Sequence, residues 1–199
     1  MKNFVVTDDK KFFFTSCDGC DARCCKGSYG TVLSQIVLED FIEVSKHFPI
    51  VFSFGDMGFL KPNIVMSDGT SCCPYITNNR CSIYHERPSI CKMYPLSPNL
   101  DDKIYIDTLC PAISTQTGKK IVTNGSVARE FDLWSLNGYA QKVVQTHLHF
   151  APLNEKKDFK KIAVLGGIEI FIYDKSSSDR YVKMHKDSLA HLHRFGLTK

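Results

Sequence analysis

Apolar positions along the chain fall into a few periodic segments. Val37, Phe41, Val44 and Phe48 form one helical stripe within residues 36–48, and Pro49 ends the run, so the pattern predicts a helix there. Short apolar runs at 50–54, 63–66 and 103–107 predict strands, with Asp68-Gly69 and Asn78-Asn79 as turn signals. Residues 85–93 predict one or two helical turns, because Pro88 suits a first helical turn. Ser126 reads as the N-cap of a long helix reaching His149, whose apolar face is Val127, Phe131, Trp134, Tyr139, Val143 and Val144. Residues 162–165 and 168–173, joined by Gly166-Gly167, predict a β-hairpin. A last helix spans 179–195, entered through Ser176-Ser177-Ser178 and closed by Gly196.

These elements predict an α+β protein. A small, irregular, cysteine-rich domain over residues 1–118, stapled by metal, packs against a helix–hairpin–helix extension over 119–199.

Composition narrows the class. With 199 residues, 43% hydrophobic and 23% charged, the chain can bury a substantial core and is neither fibrous nor disordered. Its uncharged apolar stretches fall far short of the ~20 residues of a membrane span. Asp8 and Asp9 would interrupt the apolar part of a secretion signal, so the expected location is the cytoplasm. The formal charge of +4 is uneven: residues 156–199 hold ten Lys and Arg against five Asp and Glu. Such a region, with Lys156, Lys157, Lys160 and Lys161 at its start, is a solvated face or a docking surface for an acidic protein partner. Basic residues do not interleave with aromatics along one face, which argues against a nucleic-acid binder.

The cysteines carry the candidate chemistry. All nine, Cys17, Cys20, Cys24, Cys25, Cys72, Cys73, Cys81, Cys91 and Cys110, lie in the first 110 residues. An odd number without an export signal argues against a disulfide framework, and clustered thiols in a reducing compartment point to metal. Cys17-Asp-Gly-Cys20 is a C-x2-C knuckle, whose spacing lets two thiolates reach one cation. Adjacent side chains in an extended segment point apart, so Cys24 and Cys25 are expected to serve different metals. The later spacings lack the second knuckle usual in zinc fingers, and Cys73-Pro74 and Cys110-Pro111 carry the Cys-Pro pair found in iron–sulfur proteins. An anionic thiolate centre calls for nearby cations, and Arg23, Lys26, Arg80, Arg87 and Lys92 adjoin cysteines in sequence. Tyr84, Tyr94 and Phe12-Phe13-Phe14 are the expected apolar wall. His85 is expected beside the site, and the pairs His147/His149 and His191/His193 have the wrong spacing for chelation.

Cys17-x2-Cys20-x3-Cys24-Cys25, then Cys73-Pro74-Tyr75-Ile76, then Cys81-Ser-Ile-Tyr84-His-Glu-Arg87-Pro88-Ser-Ile-Cys91-Lys-Met-Tyr94-Pro95, then Cys110-Pro111, resembles the CxxCxxCC (YkgJ-like) family over roughly residues 12–115. That family is described as zinc- or iron-chelating and includes the iron–sulfur flagellin lysine N-methylase. The resemblance implies that Cys17, Cys20, Cys24, Cys25, Cys73, Cys81, Cys91 and Cys110 hold the metal, with Cys72 outside the pattern. It implies an iron–sulfur cluster of [4Fe-4S] type, or zinc. The three-residue spacer before Cys24-Cys25 is that of the methylase, although the chain lacks a glycine-rich loop for S-adenosylmethionine. The functional expectations are therefore a metal-binding module, an iron–sulfur oxidoreductase or protein lysine methyltransferase, and, third and weakest, a zinc-stabilised interaction or nucleic-acid-binding module.

Overall fold

The computed structural model describes residues 2–55, 58–131, 136–153 and 155–197. Its strands, in chain order, are β1 (Phe4–Val6), β2 (Lys11–Phe14), β3 (Leu33–Gln35), β4 (Ile50–Phe54), β5 (Leu60–Val65), β6 (Ile76–Thr77), β7 (Arg80–Cys81), β8 (Leu96–Pro98), β9 (Ile104–Asp107), β10 (Ile113–Ser114), β11 (Lys119–Thr123), β12 (Ser126–Val127), β13 (Phe159–Leu165) and β14 (Ile168–Tyr173). The α-helices are α1 (Phe41–Val44), α2 (Ser89–Met93), α3 (Tyr139–Phe150) and α4 (Arg180–Ser188), and α4 continues as a 3-10 segment, Leu189–Phe195. Helix and sheet contribute similar shares, as an α+β fold requires. Among the described residues no helix is long and apolar enough to cross a membrane.

An antiparallel five-stranded sheet, ordered β13-β14-β4-β5-β3, forms the larger framework. Ile50, Val51, Phe52 and Ser53 of β4 are all buried, because the strand is covered on both faces. Phe41, Phe48, Phe150, Val182, Leu192 and Phe195 pack with it in one core. A second core gathers Phe12, Met93, Leu96, Ile106, Ile121 and Val122 beneath the sheets β10-β2-β11-β12 and β1-β9-β8. Pairings of β2 with β11 and of β14 with β4 both join chain from the two sides of residue 118.

His185 splices the C-terminal hairpin to the sheet. It is fully buried on α4; its Nε2 accepts from the Tyr173 N–H at 3.1 Å and its Nδ1 lies 2.8 Å from the Ile50 carbonyl oxygen. That arrangement requires the neutral ring with the proton on Nδ1. The ring thus links β14 and β4 where their direct pairing is confined to Phe171 opposite Phe52.

The hairpin at Gly166-Gly167 forms as its sequence predicts, with β13 reaching back to Phe159. Both glycines take positive φ, 56° and 81°, as the two-residue turn that matches strand twist requires. Asp179 caps α4, its side chain accepting from the N–H groups of Tyr181 and Val182.

Three expectations need correction. The stripe Val37, Phe41, Val44, Phe48 is buried, but the regular helix there is only the turn Phe41–Val44, after a 3-10 turn at Leu38–Asp40. Ser126 caps no helix. Asn124-Gly125, with φ of 46° and 75°, folds 122–127 into a tight hairpin, and the helix begins after Gly138. Val144 is consequently exposed, while Val143 faces the interior. Trp134 lies outside the described residues. Finally, Phe12-Phe13-Phe14 forms β2, and Phe12 and Phe14 serve the second core.

Candidate metal centre

Four chain segments deliver the thiols. The knuckle closes on itself, the Cys20 N–H donating to the Cys17 carbonyl at 3.1 Å, with Gly19 at φ 73° making the reversal. Arg23–Cys25 is a 3-10 turn fixed by the Cys25 N–H to the Ala22 carbonyl. The next segment is sewn to it: the Cys73 N–H donates to the Cys25 carbonyl at 2.7 Å, and the Gly27 N–H to the Ser71 carbonyl at 2.8 Å. Asn78-Asn79, both at positive φ, turns the chain so that Cys81 pairs with Ile76. Pro88 precedes α2, on which Cys91 is held by its N–H to the Pro88 carbonyl.

Gly27 is where this assembly is tightest. A Cβ there would stand 2.5 Å from Ser67 Oγ, 2.7 Å from the Gly69 carbonyl carbon and 2.8 Å from the Ser71 oxygen. Gly27→Ala is therefore expected to push the Cys24-Cys25 turn off the Cys72-Cys73 segment, at a cost of about 1–3 kcal/mol. Denaturant unfolding and metal content should both register the change.

The convergence produces one cavity of about 480 Å³. Seven of the eight cysteines singled out, Cys17, Cys20, Cys24, Cys25, Cys73, Cys81 and Cys91, line it. The eighth, Cys110, is buried behind Tyr94, whose ring forms part of the wall. The Tyr94 hydroxyl donates to Asp107 Oδ2 at 2.9 Å and also meets the Cys110 sulfur. Cys72 is exposed and does not line the cavity. Tyr84 and Tyr94 belong to the wall; the phenylalanine run does not, and Phe4, Phe48 and Tyr75 stand there instead. His85 also lines it.

The adjacent pair does not behave as an extended segment would. In the 3-10 turn Cys24 and Cys25 face the same way, their sulfurs 3.6 Å apart. Two thiolates on one tetrahedral ion with ~2.3 Å bonds stand ~3.8 Å apart, so this pair can share a metal as readily as divide between two. The expectation of different metals rested on alternation, which this turn removes.

Ionisation is coupled throughout. The hydrogen bond shared with Cys25 brings the Cys24 thiol down to about 7, with Lys2 and Arg87 also favouring its thiolate. Cys25 is driven strongly upward by the same bond, by burial, and by Cys24, Cys73 and Cys91. Burial pushes Cys91 up to about 12 and Cys73 to about 11; Cys24 and Cys81 press on both. Cys17 and Cys110 are raised chiefly by burial, and Cys20 presses on both. Burial raises Tyr94 too, helped by Cys110 and Asp107. Thiols enclosed this closely cannot all ionise without a cation between them.

Of the cations adjacent to cysteines in sequence, Arg80 and Arg87 reach the cavity. Arg23 and Lys26 instead pair with Asp21, and Lys92 is exposed. Sequence spacing gave no sign of Lys2, which enters the cavity from far away in the chain because β1 pairs with β9.

Among the described residues no group of three His, Cys, Asp or Glu side chains already stands in place to hold an ion. The donor chemistry nonetheless suits a thiophilic metal: many thiols facing one space, largely apolar walls, and cations at the margin. Comparison with curated proteins and with solved structures finds no match. Residues 16–111 do match the CxxCxxCC family model, described as a "putative zinc- or iron-chelating domain". The thiol-lined cavity and that match agree: over residues 16–111 this metal-binding cysteine-cluster protein is similar to the chelating domain of the CxxCxxCC family.

Proposed function

We propose that Cys17, Cys20, Cys24, Cys25, Cys73, Cys81, Cys91 and Cys110 are the thiolate ligands of a polynuclear iron–sulfur centre. The observation that carries this reading is the seven thiols around a cavity of about 480 Å³. Separate zinc ions would draw four sulfurs each into compact tetrahedra, whereas an inorganic core fills the space between thiols spread over its walls. The electrostatic coupling falls into two groups joined by Cys24: Cys25, Cys73, Cys81 and Cys91 on one side, Cys17, Cys20 and Cys110 on the other. The cysteines are free thiols, which suits a reducing compartment such as the cytoplasm.

When bound, the centre supplies a cross-link among four chain segments and, if its metals change oxidation state, an electron store. The protein's own residues hold the thiols in place, exclude water with Phe48, Tyr75 and Tyr94, and offset negative charge with Arg80, Arg87 and Lys2.

Zinc is the second reading, favoured by the 3.6 Å separation of the Cys24 and Cys25 sulfurs. Metal analysis with an absorption spectrum on anaerobically purified protein separates the two. Iron with acid-labile sulfide and a broad band near ~400 nm is the expected result. Colourless protein carrying stoichiometric zinc would replace the first reading with the second, and protein without either metal would refute both.

A further inference from the structure

The clearest feature the family pattern does not explain is Lys2. Strand β1, paired with β9 at Phe4–Asp107, Val5–Ile106 and Val6–Tyr105, lays the segment preceding it across the cavity. Asn3 fastens it, its N–H donating to Asp107 Oδ1 at 2.9 Å and its amide to Thr108 Oγ1 at 2.9 Å. The Lys2 ammonium then sits 5.3 Å from the centroid of the Tyr94 ring, close enough to Cys24, Asp107, Cys91 and Cys25 to feel their charge. Among the described residues it makes no hydrogen bond or ion pair. Burial pulls the half-buried Lys2 below the ordinary lysine range, although Asp107 and the thiols raise it. The Asp107 carboxylate is already engaged by the Tyr94 hydroxyl and the Asn3 and Leu109 N–H groups, so an ammonium placed here is best compensated by further negative charge in the cavity.

We propose that Lys2 is the internal counter-cation of the loaded thiolate centre and that β1 is the strap which delivers it. The inference rests on the thiols holding a metal, but not on which metal. Four thiolates around a divalent ion or an oxidised four-iron core leave a net negative charge, which a desolvated ammonium offsets far better than a water-facing one. Arg87 provides the contrast: it is half-buried as Lys2 is, but its guanidinium rests 3.6 Å over the exposed Tyr84 ring, with Nε donating to the Tyr84 carbonyl in a solvent-facing hydrogen bond. Solvent screens a cation so placed. Lys2 is thus a positioning residue for the metal, not a ligand.

The test is the rate at which a chelator strips metal from anaerobically purified full-length protein, for wild type, Lys2→Met, Lys2→Arg and Arg87→Met. Losing a partner that steadies metal ligands typically costs ~10–100-fold in affinity, so Lys2→Met should lose metal at least ~10-fold faster. Lys2→Arg should stay close to wild type, and Arg87→Met should fall between. If the metal is redox-active, Lys2→Met should also lower the midpoint potential, because removing a positive charge disfavours the added electron. Circular dichroism of the loaded variants checks that the fold is retained; a Lys2→Met protein that fails to fold while Lys2→Arg folds and keeps its metal also supports a required charge. Equal stripping rates for wild type and Lys2→Met would overturn the proposal while leaving the thiolate site intact. Wild-type protein that binds no metal would overturn both.

Discussion

Cys91→Ser is expected to purify with most of its metal lost and with a sharply reduced soluble yield, and Cys20→Ser should do the same. Burial, Cys73, Cys24 and Cys81 all raise Cys91, so its thiolate becomes favourable only when a bound metal supplies the compensating charge. A serine hydroxyl is a far poorer ligand for a thiophilic metal. Cys20 lines the same cavity from the end of the knuckle, and its loss removes half of the first chelating turn. The effect on folding should be large because metal binding free energy is folding free energy where a site draws together separated segments; apparent values of ~10–16 kcal/mol are typical of small zinc modules. Cys72→Ser is the matching control. That thiol is exposed and off the cavity, so metal content and midpoint of unfolding should stay at wild-type values. Metal analysis across the three variants checks the assignment: full loading of Cys91→Ser, or loss of metal from Cys72→Ser, would redraw the ligand set.

His185→Leu is expected to destabilise the fold by about 3–5 kcal/mol without touching a thiol. Leucine fills much of the space but removes the ring's contacts to two backbone groups, leaving the Tyr173 N–H and the Ile50 carbonyl without this partner inside the core. A buried backbone group left unpaired costs ~1–3 kcal/mol, and two are orphaned here. The ring also packs 4.8 Å from Phe52, a contact the leucine replaces only in part. In a chain of this size the midpoint of thermal unfolding should fall by ~10 °C. Because β13 and β14 hang on β4 through this bridge, hydrogen exchange should speed up first along that hairpin. A variant with unchanged stability would mean that β14 holds to β4 without the histidine.

The two sets of variants separate what the halves of the chain contribute. Cysteine variants test the staple; His185 tests the framework carrying it. Gly27 lies between, since it fits the Cys24-Cys25 turn against the chain leading to Cys73. Its substitution should lower stability and metal content together.

Sequence patterns reveal most where the physics is local. The Gly166-Gly167 turn, the Asp179 cap and the strand Ile50–Phe54 follow from positive-φ residues, a side-chain acceptor and an unbroken apolar run. The candidate ligands were equally legible, because the irregular but specific spacing of cysteines, with Arg87-Pro88 and Tyr94-Pro95 between them, is itself a chemical pattern. Two local signals competed at 122–127, and the Asn-Gly turn prevailed over the Ser126 cap; a hairpin closing on its own strand needs fewer residues fixed than a helix nucleus.

What the sequence determined alone is the set of candidate donors: thiols in number, in one half of the chain, at spacings suited to metal. What only the tertiary structure decided is their company. Pairing of β1 with β9 brings Lys2 among sulfurs far along the chain, a 3-10 turn sets the Cys24 and Cys25 sulfurs on one side, and β14 joins β4 so that the C-terminal hairpin completes the sheet begun near residue 33. Each is a contact between segments remote in sequence or a choice of local backbone made by packing. Spacing along a chain records which residues are near neighbours; it cannot record which strand lies beside which, since that is settled by the burial of faces the whole chain must share.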